Sequence, residues 1–97
     1  MTKETMDETT SRAVTICNQR GLHARAAAKF VRTLEGFSAE VTVIKDDIEV
    51  PGTSIMGLMM LAAGPGTDLL LRGVGAEAAD ALSALEDLIA RKFDEDA

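Results

Sequence analysis

The sequence predicts an α+β fold: a four-stranded antiparallel sheet with three helices on one face, in the order β-α-β-β-α-β-α. Short stretches in which apolar and polar residues alternate recur at residues 13–17, 39–44 and 68–72. Other segments carry apolar residues at helical spacing. Each of those helices has one apolar stripe, so stacking all of them on the same side of a single sheet is the economical way to bury every stripe.

Taken in order, residues 13–17 form the first strand, with Val14 and Ile16 on one face. The polar residues 1–11 ahead of the domain lack the apolar core of a secretory signal and read as a flexible tail. A helix is expected over residues 24–35, with Ala27, Phe30 or Val31, and Leu34 at helical spacing and Gly36 ending it. The second strand sets Val41 and Val43 against Glu40 and Thr42. Lys45-Asp46-Asp47 then turns the chain into a short third strand at residues 48–50.

Pro51-Gly52 breaks the pattern, and Ser54 opens a short helix that runs to Met60 or Leu61. After the Gly64-Pro65-Gly66 turn comes the fourth strand, residues 68–72. Gly73-Val74-Gly75 leads into the last helix, whose stripe is Ala78, Leu82, Leu85, Ile89 and Phe93. The domain spans residues 12–93, and the acidic residues 94–97 read as a solvated tail.

Composition narrows the function. The 97 residues make one domain, and with 16 acidic against 10 basic residues the net charge is -6. A nucleic acid partner is disfavoured, since binding a phosphate backbone relies on clustered cations. No apolar run is long enough for membrane insertion; residues 58–63 fall far short. The single cysteine, Cys17, has no partner for an internal disulfide, which fits the cytoplasm, and within its strand it reads as a small buried hydrophobe. One histidine and one cysteine at unsuitable spacing make no metal site, and no cofactor is implied. A hydrolase would need a nucleophile within reach of a base, and the sequence shows no such pair.

The chemistry concentrates at His23, in Arg20-Gly21-Leu22-His23-Ala24-Arg25, between the first strand and the first helix. A lone histidine is more often a surface or capping residue, but this one falls at a helix mouth. There the unpaired N–H groups and the positive dipole end favour an anion by ~0.3–2 kcal/mol. Neutral imidazole is a nucleophile, so the position suits a ring that attacks phosphorus and then holds the group. Arg25 can add charge-assisted hydrogen bonds to a phosphate. Arg20, Arg25, Lys29 and Arg32 cluster around this helix in a stretch without acids, and positions 25, 29 and 32 share one helix face. A solvated helix face would explain these cations equally well in isolation. Beside a phosphate-bearing ring they suggest electrostatic docking to acidic partners.

Gly21-Leu22-His23-Ala24-Arg25 followed by Ala27-Ala28-Lys29-Phe30-Val31 resembles the active-site signature of HPr. HPr is the phosphocarrier of the phosphoenolpyruvate-dependent phosphotransferase system or of its nitrogen-related branch. The similarity runs from about Arg12 to Lys92 and includes the element order, which in that family forms an open-faced β-sandwich. The resemblance implies that Enzyme I phosphorylates His23 on Nδ1, that the group passes to a IIA-type protein, and that Arg25 holds the phosphate. One departure is Ala26, where the family usually has proline; alanine does not lock φ, so the loop is expected to be less rigid.

Ser54, in Pro51-Gly52-Thr53-Ser54-Ile55-Met56-Gly57-Leu58, resembles the regulatory serine modified by HPr kinase in that family. A plain helix cap, worth ~1 kcal/mol, accounts for the same residue. Ile55, Met56, Leu58 and Met59, with Met60, give this short helix more apolar surface than one buried face needs, which suggests an adaptable partner contact. The alternative from another class is a ferredoxin-like domain that senses a small ligand, because its βαββαβ order is contained in this chain. Such a sensor has no need of the histidine motif or its basic helix.

Overall fold

Val14 and Ile16 point into the protein and Thr15 and Cys17 point out, so the alternation read from the sequence is a real two-faced strand. A computed structural model describes residues 9–97. The strands are β1 (Thr9–Thr15), β2 (Glu40–Lys45), β3 (Ile48–Pro51) and β4 (Asp68–Val74). The helices are α1 (Ala24–Leu34), α2 (Ile55–Met60) and α3 (Ala78–Ala90), followed by a 3-10 turn at Lys92–Asp94. The expected β-α-β-β-α-β-α order is present.

The four strands form one antiparallel sheet in the order β1-β4-β2-β3. The hairpin between β2 and β3 turns at Asp46, whose φ is 53°, a left-handed value that Asp tolerates better than most residues. On the covered face, Val14, Val41, Val43, Leu69 and Leu71 join Phe30 and Leu34 of α1 and Leu82, Leu85 and Ile89 of α3 in one core. Each large side chain so buried contributes roughly 1.5–3 kcal/mol. On the other face, Leu70 is exposed and Arg72 pairs with Glu49 across the strands at 3.1 Å. No helix among the described residues is long and apolar enough to cross a membrane.

Three boundary expectations change. Thr9, Thr10 and Ser11, read as part of a flexible tail, are strand residues paired with Val74, Gly73 and Arg72. The reason lies in β4, which continues through Gly73-Val74 rather than stopping at Arg72 and so offers β1 a longer partner. Residues 1–8 of that tail lie outside the described residues. Cys17 is not buried: β1 ends at Thr15, the alternation that buries Ile16 turns Cys17 to solvent, and its thiol donates weakly to the Ile89 carbonyl at 3.3 Å. Residues 94–97 are not a free tail, since they fold back onto the site described next.

Candidate functional site

The loop after β1 is shaped by Gly21. Its φ is +66°, and a Cβ there would lie 2.3 Å from the Ala63 carbonyl oxygen, so only glycine lets the loop settle on the segment that follows α2. The Leu22 N–H then donates to that same carbonyl at 2.9 Å. Leu22 is buried, and the next residue is delivered to the start of α1. That residue is His23.

His23 is the N-cap of α1 in an extended conformation (φ -77°, ψ 179°), and its side chain caps nothing. Its carbonyl accepts the first helical bond from Ala27 N–H at 2.9 Å. The N–H groups of the first turn therefore have no acceptor within the helix. The ring is 17% exposed, and among the described residues only its Nε2 is hydrogen-bonded, 2.5 Å from Glu95 Oε2. Arg20, Leu22, His23, Ala62, Ala63 and Gly64 line a small cleft of about 200 Å³ beside the ring. The residues after α2 thus form one wall of the site.

The cations lie where the helix spacing put them. Arg20, Arg25 and Lys29 line a second cleft of about 370 Å³, which also holds Asp94, Glu95 and Asp96. Lys29 also borders a third cleft with Arg32. Arg20 and Arg25 are exposed, whereas Lys29 is half-buried and donates to the Phe93 carbonyl at 2.6 Å.

The C-terminal residues are the part that sequence reasoning missed. Glu95 bonds the histidine through one oxygen and accepts from Asn18 Nδ2 at 3.0 Å through the other. The Ala97 carbonyl oxygen accepts from Gln19 N–H at 2.8 Å. Burial pushes the Glu95 carboxyl up, but hydrogen bonds from His23 and Asn18, with the charges of His23 and Arg20, outweigh it and hold it below its ordinary value. Asn18, also missed, is wholly buried and donates to the Gly21 carbonyl at 2.9 Å as well.

The second candidate region divides. Ser54 is the N-cap of α2, and its Oγ accepts from Gly57 N–H at 2.9 Å, as expected. Ile55, Met56 and Met59 are exposed, and so is Met60. Leu58 is not: it is fully buried, because a six-residue helix must give its one inward position to the core. It is removed from the docking set. Ala26, the departure from the family pattern, is buried in the first turn of α1.

Comparison with known proteins fits this geometry. The family described as PTS HPr component phosphorylation site matches residues 10–91. The phosphocarrier protein HPr of Neisseria meningitidis is 52% identical over 83 residues, covering 86% of this chain and 93% of that protein. The phosphocarrier protein NPr of Shewanella violacea is 44% identical over 84 residues, covering 87% and 92%. The crystal structure of an HPr from Thermoanaerobacter tengcongensis superposes with a TM-score of 0.86 at 41% identity, covering 91% of this chain and 99% of that one.

Proposed function

The chain belongs to the HPr family of phosphotransferase-system phosphocarriers, and from that premise we propose that His23 is the residue that accepts and hands on the phosphoryl group. The ligand-sensing alternative has no place in that family. What supports the role of His23 is a single observation: a partly exposed ring sits at the mouth of α1 with Nε2 already bonded, which leaves Nδ1 to react. Nδ1 attacks phosphorus, the new N–P bond forms as the bond to the donor breaks, and the reverse exchange discharges the group. First-turn N–H groups and the cations Arg20 and Arg25 offset the charge that arrives.

The donor in this reading is an Enzyme I-type phosphotransferase and the acceptor a IIA-type protein, both in the cytoplasm. Docking rests on Arg20, Arg25, Lys29 and Arg32 together with the exposed Ile55, Met56 and Met59. Ser54 is a second, regulatory phosphorylation site for a serine kinase of the HPr type. Ser54 caps the helix that carries the exposed methionines, so a phosphate there would put charge at the start of that helix.

The test is incubation with Enzyme I and phosphoenolpyruvate. The wild type is expected to gain one acid-labile phosphate, and a folded His23→Ala variant none. Retained labelling in that variant would refute the assignment.

A further inference from the structure

After α3 the chain reverses through Lys92, Phe93 and Asp94, whose φ angles of 61°, 55° and 64° are all left-handed although none is glycine. Such backbone is unfavourable for any L-residue. The turn is held by Phe93, which is fully buried, by Lys29 on the Phe93 carbonyl, and by the Arg91–Asp94 ion pair at 2.9 Å. Its result is to bring Glu95 onto His23, 72 residues away in sequence. Strain kept where it delivers one polar contact to a reactive ring points to a functional contact.

The other end of Glu95 is fixed by Asn18. Both neighbours of the Asn18 amide nitrogen, the Gly21 carbonyl and Glu95 Oε1, are acceptors, so the amide can face them only with its NH2 group. With the ring neutral, the hydrogen bonds that Glu95 accepts and the nearby Arg20 charge still hold its carboxyl in the ionised form. An ionised carboxylate only accepts hydrogen bonds, so the proton between Glu95 and the ring belongs to Nε2. The lone pair of the neutral ring is then on Nδ1.

We propose that Asn18 and Glu95 are positioning residues for phosphoryl transfer: the buried amide aims the Glu95 carboxylate at Nε2 of His23 and fixes the tautomer whose Nδ1 attacks phosphorus. This rests on the reading of His23 as acceptor. In the step, Nδ1 forms the new bond, the donor takes back its electron pair as its bond to phosphorus breaks, and Nε2 keeps its proton. The ring gains positive charge, which the Glu95 carboxylate balances. Neither residue bonds to the phosphoryl group.

The deciding variant is Glu95→Gln. Asn18 still offers only a donor, so it claims the new amide's oxygen and turns the amide NH2 toward the ring. Nε2 must then accept, and the tautomer inverts. The ¹⁵N spectrum of the ring, read at a pH where it is neutral, is expected to show Nε2 protonated in the wild type and Nδ1 protonated in Glu95→Gln. Phosphate acceptance from Enzyme I is expected to fall about tenfold in the variant. An Asn18→Ala, Glu95→Gln double variant frees the amide to turn its oxygen to the ring, so the original tautomer and much of the rate return.

An unchanged tautomer in a folded Glu95→Gln would overturn the proposal. So would an inverted tautomer with equal or faster acceptance, because Glu95 would then act only as a negative charge that hinders the incoming phosphate. The ring spectrum needs no partner protein, so it decides the Asn18–Glu95 relay separately from the labelling of His23→Ala.

Discussion

The ammonium of Lys29 is bonded to the carbonyl of Phe93 at 2.6 Å, which ties the middle of α1 to the C-terminal segment. A lysine that the sequence offers purely as a docking charge is therefore also a structural tie. Replacing it by Met keeps the aliphatic stem and removes the bond, a change worth about 1.5 kcal/mol for a charge-assisted contact. Amide exchange in residues 93–97 is expected to accelerate in Lys29→Met while exchange in β4 changes little. Equal loss of protection throughout the chain would show that the segment does not open by itself.

Gly21 and Ala63 meet where the loop before the histidine rests on the segment after α2. Gly21→Ala puts a methyl group 2.3 Å from a carbonyl oxygen at a φ of +66°, and no side-chain adjustment relieves it. The expected cost is at least about 2 kcal/mol, the sum of the left-handed penalty and the clash. Urea unfolding measures it. Phosphate acceptance should fall as well, since Leu22 loses its hold on Ala63 and the ring loses its place.

Much of this site is legible in the chain because its parts are local. His23 and Arg25 share one loop–helix junction, and Lys29 and Arg32 follow at helical spacing, so periodicity alone puts these cations on the helix that begins at the ring. Ala78, Leu82, Leu85 and Ile89 are buried for the same reason, whereas Phe93, expected to end that helical stripe, is buried from the left-handed turn beyond α3, which stops at Ala90. Cys17 is misplaced by a strand reading that runs two residues past Thr15 and overrides its own alternation. Glu95 could not be found that way. An acidic run at a chain end has the composition of a solvated tail, and only three left-handed residues turn it back to the histidine. Asn18 carries no signal either, because its role depends on Glu95.

The lowered Glu95 carboxyl gives a definite pH sign. Between the folded value and the ordinary 4.5, the unfolded chain binds more protons, so stability rises with pH through that window. The contribution is fully present above the unfolded value and is lost as pH falls through the folded one. Asp94, lowered by its hydrogen bond to Arg91, acts in the same direction. Residues 93–97 are therefore expected to detach in acid before the sheet unfolds, with Glu95→Gln removing part of that dependence. Backbone NMR during an acid titration would follow it, and a C-terminal segment that stays docked until global unfolding would contradict it.

Ser54 separates capping from regulation because two substitutions move them independently. Ser54→Ala removes the acceptor for Gly57 N–H and is expected to cost about 1 kcal/mol, with phosphate acceptance at His23 unchanged. Ser54→Asp keeps an acceptor of the kind that caps helices well, so stability should stay near that of the wild type. It also puts a negative charge at the edge of the apolar patch formed by Ile55, Met56 and Met59. If that patch seats the donor, Ser54→Asp slows transfer from Enzyme I by raising the donor concentration needed, because a buried unpaired charge opposes docking rather than chemistry. Transfer kinetics measured over a range of donor concentrations separate the two effects. An Asp variant that transfers like the wild type at every concentration would leave Ser54 as a helix cap alone.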